Sequence, residues 1–207
     1  MHNAANLCTS KRRKKLSDTT TLETKPKFTV KQLALVGLMT AVICVLGPLA
    51  LNIPVSPVPI SLGTLAIYFV VSVLGMKLGT ISVIIYILLG LAGVPIFAGF
   101  TSGPGKLFGP TGGYIIGYIF MALICGFFVD HFGRKLPVYF LGMLLGTAVC
   151  YLLGTLWLGF QMNMSFPKAL MAGVIPYIPG DLVKLIIAMV VGFQVRKRLL
   201  KAGLIQK

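Results

Sequence analysis

Two side chains near the end of the chain are spaced for shared chemistry. Asp181 and Lys184 lie three residues apart in PGDLVKLIIAMVVGF. The run that follows them is apolar, and an ionisable residue in such a setting is costly, which makes it a functional candidate by default. A three-residue spacing places both groups on one face of a helix. Two readings follow. The groups form a self-compensating pair that neutralises itself near the membrane interface, or they line a pocket that offers a carboxylate acceptor beside an ammonium donor. Under the second reading the carboxylate suits the N–H groups of a urea-like ring, and the ammonium suits a carbonyl or a carboxylate. Candidate walls are aromatic: Phe97, Phe100, Phe108, Tyr114 and Tyr177. Such a site fits a small, mostly apolar solute with a few polar atoms.

Other chemistries lack their residues. No G-x-x-x-x-G-K-[ST] phosphate loop, HExxH or GxSxG motif occurs, so neither nucleotide hydrolysis nor a familiar hydrolase mechanism is expected. Beyond Lys31 the only acidic residues are Asp130 and Asp181, too few for a metal-dependent phosphoryl-transfer enzyme or a proton relay. Asp130 sits with His131, Arg134 and Lys135 in DHFGRKL and reads as a solvated loop charge. The four cysteines, Cys8, Cys44, Cys125 and Cys150, have no zinc or redox spacing; the last three lie in apolar runs as small packing residues. No enzyme activity, cofactor or metal is expected.

The elements that must position Asp181 and Lys184 are membrane helices. Of the 207 residues 57% are hydrophobic and 11% charged, against about 25% charged in soluble domains, and the mean hydropathy is +0.92. The expected fold class is an all-α integral membrane protein with about six transmembrane helices in one bundle. Spans are drawn near 31–50, 60–75, 78–93, 113–129, 137–160 and 169–195. The second and third are short of the roughly 20 residues that a span needs. Residues 1–30 form a basic tail expected to be disordered, 31–197 the membrane domain, and 198–207 a second basic tail.

The net charge of +15 is not a nucleic-acid signature, because its clusters (KRRKK at 11–15, RKR at 196–198) flank apolar stretches and read as topology signals facing anionic lipid headgroups. With the N-terminus inside, sixteen of the nineteen Lys and Arg fall on the inner side and only Lys106 and Lys168 on the outer; Lys184 lies within a span. Both termini are therefore expected in the cytoplasm of a multi-pass cell-membrane protein.

Two segments break helical pattern. GVPIFAGFTSGPGKLFGPTGG, residues 93–113, holds seven glycines and three prolines, so it cannot be a continuous helix. It is also apolar, and irregular backbone at membrane depth is tolerated where it is buried in protein or lines a cavity. In the last span Pro176, Pro179 and Gly180 interrupt the helix, which restarts near Pro179 with Asp181 in its first turn. Broken membrane helices commonly carry substrate sites. Small residues recur at helical spacing: Ala34, Gly37 and Ala41 in the first span; Gly113 and Gly117 in the fourth; Gly142, Gly146, Cys150 and Gly154 in the fifth. Such stripes let helices approach closely, inside the bundle or, for the first span, against another membrane subunit.

Three stretches, NIPVSPVPISLGTLAIYF, GLAGVPIFAGFTSGPGKLFGPTGGYIIGY and IPYIPGDLVKL, closely resemble the BioY family, and the likeness covers roughly residues 30–195. The resemblance implies a substrate-capture (S) subunit of an energy-coupling-factor transporter: six membrane helices, biotin bound near the outer face, and transport driven by a separate membrane coupling subunit and two ATPases. It carries the family's biotin-binding Asp and Lys onto Asp181 and Lys184. It makes residues 93–113 the segment that closes over the ligand, so Phe97, Gly99, Phe100, Lys106, Thr111 and Gly112, with Tyr114 just after the segment, join Tyr177 as site candidates. It also implies docking of the coupling subunit on the Ala34, Gly37, Ala41 face, although Leu38 stands where a strict Ala-x-x-x-Ala pattern has alanine. Within that picture Asp181 suits the ureido N–H groups, Lys184 the ureido oxygen or the tail, and Lys106 the tail carboxylate. Other classes to weigh are the same architecture for another small vitamin, a small membrane enzyme acting on lipid or prenyl groups, and a purely structural subunit.

Overall fold

The structure is a computed structural model, and it describes residues 29–51, 58–132 and 136–205. The basic N-terminal tail, the body of the NIPVSPVP turn and residues 133–135 lie outside the described residues. The architecture is a helical bundle. Helix α1 runs Val30–Leu46, α2 Gly63–Leu91, α3 Pro104–Leu107, α4 Gly112–Phe132, α5 Leu136–Gln161, α6 Phe166–Gly173 and α7 Ile178–Lys201, with a 3-10 turn at Ile175–Tyr177 between the last two. No strands are expected in an all-α chain, but two strands of two residues each, β1 (Ala50–Leu51) and β2 (Ile60–Ser61), pair antiparallel.

Four stretches, Gly63–Leu91, Gly112–Phe132, Leu136–Gln161 and Phe166–Lys201, are long and apolar enough to cross a membrane, and Val30–Leu46 is a shorter apolar helix. Gly63–Leu91 is two helices, not one. Gly75 has φ +80 and ψ −168, a region open essentially to glycine alone. A Cβ on Gly79 would lie 3.1 Å from the Cα of Val71, whereas residues eight apart in a straight helix are about 12 Å apart. The chain therefore doubles back at Gly75, and among the described residues the count of crossing segments returns to six. The reversal falls one residue before the Met76–Lys77 link expected from the sequence. At the other end, α7 continues past residue 197 to Lys201.

Glycine stripes bring the helices together. On α5, a Cβ at Gly142 would meet Phe128 at 2.5 Å, one at Gly146 the Sγ of Cys125 at 2.7 Å, and one at Gly154 would run into the ring of Tyr114. These contacts all lie on α4, so the four-residue repeat of the fifth span is an internal packing face. The core it closes contains Ile43, Val70, Val73, Met121 and Met143, all buried.

Asp130, read from sequence as a solvated charge, is exposed and is also a structural clamp. Its Oδ2 accepts the Met76 N–H at 2.8 Å and its Oδ1 accepts from Arg196 at 2.7 Å, while Arg196 also donates to the Val73 carbonyl at 3.2 Å. Asp130 thus caps the start of the second half of α2 and Arg196 the end of the first. The buried Arg196 is paired, as an ion inside a membrane protein must be.

Candidate functional site

The break in the last span does the positioning. The 3-10 turn ends at Tyr177 and α7 starts with Pro179 in its first turn, where a missing N–H costs nothing because that donor has no helical partner. Asp181 follows in the same turn, the end of the helix that favours a negative charge. Asp181 and Lys184 are 8% and 9% exposed, and the Lys184 Nζ lies 2.8 Å from Asp181 Oδ1.

Three further elements complete a polar network around this pair. Lys184 Nζ donates to the Ser61 carbonyl on β2 at 2.7 Å and reaches Thr64 Oγ1 on α2 at 3.4 Å. The Tyr151 hydroxyl on α5 donates to Asp181 Oδ2 at 2.6 Å, and Thr64 Oγ1 lies 3.4 Å from Asp181 Oδ1. Buried charges persist when paired and hydrogen-bonded, and these are both. The two readings of the pair therefore coexist: it is self-compensating, and it borders a cavity.

That cavity is lined by Asp181, Lys184, Ser61, Thr64 and Tyr151 at its polar end. Its remaining wall is largely aromatic and apolar, with Tyr86, Phe97, Tyr114, Ile115, Tyr118 and Tyr177, and with Lys106 and Thr111 also on the lining. A few polar groups at one end of a largely apolar wall are the pattern of a small-molecule site.

The glycine-rich stretch forms much of this wall by being tied down. Phe97 and Thr101 exchange backbone hydrogen bonds at 3.0 and 3.3 Å, Gly99 N–H donates to the Pro48 carbonyl at 3.0 Å, and Gly103 N–H to the Gly90 carbonyl at 2.8 Å. Phe97 is buried edge-on to Tyr86, ring centroids 5.7 Å apart. Its ring lies over Gly90, where an added Cβ would collide with it; only glycine leaves room. Tyr86 donates to the Ile96 carbonyl at 3.1 Å, Trp157 Nε1 to the Gly109 carbonyl at 2.9 Å, and Tyr114 to the Gly173 carbonyl at 3.0 Å. The Tyr177 hydroxyl donates to the Val58 carbonyl.

The sequence candidates thus divide. Asp181, Lys184, Phe97, Lys106, Thr111, Tyr114 and Tyr177 line one cavity. Gly99, Phe100 and Gly112 do not. Gly99 and Phe100 are consecutive left-handed residues, φ +75 and +57, that turn the chain, and Phe100 points away with 67% of its surface exposed. Gly112 packs against the Leu107 carbonyl. Phe108 is also exposed. Partial burial of Lys106 lowers its ammonium pKa below the ordinary lysine value.

Sequence reasoning missed Ser61, Thr64, Tyr86, Tyr118, Cys150 and Tyr151. Ser61 and Thr64 stand in the ISLGT part of a stretch already singled out. The others are polar groups inside apolar runs, and no local spacing links them to position 181. Among the described residues no group of three or more His, Cys, Asp or Glu could hold a metal. Away from the cavity, Ala34, Gly37 and Ala41 are exposed on α1, and a Cβ at Gly37 would meet nothing within 4 Å.

Comparison with known proteins identifies relatives of the chain. The profile of the BioY family matches residues 18–201. A protein of Lactococcus lactis named biotin transporter BioY2 is 34% identical over 160 residues, covering 77% of this chain and 87% of that protein. One from Pyrococcus horikoshii, named probable biotin transporter BioY, is 38% identical over 161 residues, covering 78% and 93%. A solved structure described as the S-component for biotin from an ECF-type ABC transporter superposes with a TM-score of 0.77 at 33% identity, covering 86% of this chain and 95% of that one.

Proposed function

The chain belongs to the BioY family, and on that premise we propose that it is a multi-pass membrane subunit that captures biotin in the cavity beside Asp181 and Lys184. The observation that carries this reading is a buried carboxylate–ammonium pair at one end of an otherwise aromatic cavity. Biotin has matching parts: a ureido ring with N–H donors, an apolar thioether ring and a carboxylate tail. Asp181 accepts from the ureido N–H groups, and Lys184 holds the Asp181 carboxylate in place and reaches the ureido oxygen or the tail. Phe97, Tyr114 and Tyr177 surround the apolar body together with Thr111, and Lys106 faces the tail carboxylate. Gly99, Phe100 and Gly112 serve by shaping the segment that encloses the ligand.

The orientation rests on charge: sixteen basic residues on one side against two on the other place both termini in the cytoplasm and residues 93–113 outside. With no phosphate loop in the sequence, the energy for uptake comes from other chains, a membrane coupling subunit and ATPase subunits. The likeness to a solved S-component of an ECF-type ABC transporter supports that assignment. The exposed small-residue face of α1 is where the coupling subunit docks. The test is equilibrium binding of labelled biotin to the purified protein in detergent, with unlabelled vitamins as competitors. Saturable binding displaced by biotin alone is expected; displacement by a different vitamin, or no binding by well-folded protein, would overturn the reading.

A further inference from the structure

The polar end of the cavity has a proton inventory that is nearly complete before any ligand enters. Lys184 Nζ carries three protons and has three acceptors in reach: the Ser61 carbonyl at 2.7 Å, Asp181 Oδ1 at 2.8 Å and Thr64 Oγ1 at 3.4 Å. The Thr64 hydroxyl proton has its own choice of the Ser61 carbonyl and Asp181 Oδ1, each 3.4 Å away. The one proton of the Tyr151 hydroxyl goes to Asp181 Oδ2 at 2.6 Å.

Lone pairs, in contrast, are left over. Among the described residues Asp181 Oδ2 accepts one bond, from Tyr151, and the Tyr151 oxygen accepts none; each has room for another. These two oxygens are 2.6 Å apart and both residues line the cavity. A charge-assisted bond such as this one is roughly twice as strong as a neutral one, so the Tyr151 hydroxyl keeps donating to Asp181 when a ligand arrives.

From this we infer that Tyr151 is a specificity-determining residue acting as an acceptor: with its proton held by Asp181, it and Asp181 Oδ2 form an acceptor edge that selects ligands presenting N–H donors. A ligand carbonyl turned to that edge meets lone pairs on both atoms and is repelled. Lys184 fixes and neutralises Asp181 through their 2.8 Å ion pair, and only its long 3.4 Å contact to Thr64 is open to exchange for a ligand oxygen. The inference rests on biotin being the ligand, and it specifies which side of the ureido ring faces α5: an N–H side, with one N–H on Asp181 and Tyr151 available to the same ring.

The experiment is a ligand–protein cycle on the purified full chain. Dissociation constants are measured for biotin and for its two singly N-methylated ureido analogues, in the wild type and in Tyr151→Phe. The wild type should prefer biotin. Tyr151→Phe should lose up to about tenfold for biotin, the value of roughly one neutral hydrogen bond. It should lose nothing further for the analogue whose methyl replaces the N–H facing Tyr151. Repeating the cycle with Tyr151→Met guards against a folding defect of one variant. Equal fold-losses for biotin and both analogues would show a merely structural role and overturn the inference. So would unchanged biotin affinity, or loss of all binding in both variants while they remain folded. Failure of the wild type to bind biotin would be a different result: it would overturn the substrate reading itself, and the role of Tyr151 with it.

Discussion

Replacing Asp181 by Asn keeps the shape of the side chain and removes its charge. In the structure the carboxylate accepts from Lys184 at 2.8 Å and from Tyr151 at 2.6 Å. An amide has one acceptor oxygen, so one of those donors loses its acceptor and Lys184 loses its counter-charge. A ligand N–H that met a carboxylate would meet a neutral group. Hydrogen bonds to charged groups are worth about 1.5–3 kcal/mol, so biotin affinity should fall by about ten- to 150-fold. Stability falls too, because removing one partner of a buried ion pair typically costs about 3–5 kcal/mol. The double variant Asp181→Asn with Lys184→Met separates the two effects, since it leaves no unpaired charge. Radiolabelled biotin binding is measured on material shown to be monodisperse by size-exclusion chromatography. The expected outcome is a double variant that recovers yield but does not bind. A well-folded double variant with wild-type affinity would refute the reasoning and reduce the pair to a structural ion pair.

Gly75→Ala should lower the melting temperature in detergent by several degrees, because the backbone there is open to glycine alone and the new Cβ would collide with Asp130 Oδ1; a loss of at least about 2 kcal/mol is expected, and an unchanged melting temperature would contradict the clamp. Gly37→Leu, on the exposed face of α1, should leave biotin binding intact yet reduce uptake in cells that supply the coupling and ATPase subunits; normal uptake would move the docking face elsewhere. With the native cysteines replaced, Ser102→Cys should react with an impermeant thiol reagent in whole cells and Lys201→Cys should not. The reverse pattern would invert the topology.

Much of the fold is legible because lipid imposes simple rules. Apolar runs mark the helices, and the Pro176–Gly180 break marks where the last one restarts. The Gly142, Gly146, Cys150, Gly154 repeat foretells close contact, although only the structure shows that α4 is its partner. Asp181 and Lys184 stand out because a charge in an apolar run is rare. Tyr151 and Thr64 do not, since neither is costly in a membrane helix and their link to Asp181 spans 30 and 117 positions. Asp130 is exposed, as its local sequence suggests, but its clamp role is hidden for a related reason. Local sequence shows a charged loop, while its partners, Met76 and Arg196, come from two other segments. Phe100 and Phe108 share the composition of the wall aromatics, but the left-handed turn at Gly99–Phe100 sends Phe100 outward, a matter of dihedral angles that residue type alone does not reveal.

Biotin is proposed to occupy the cavity between Phe97, Tyr151 and Asp181. The most direct test of that claim is an experimental density map of the protein prepared with biotin. The account requires ligand density in that cavity, with the ureido ring within hydrogen-bond distance of Asp181 and an N–H edge turned toward Tyr151. Biotin density elsewhere on the protein, or an empty cavity at saturating biotin, would contradict it.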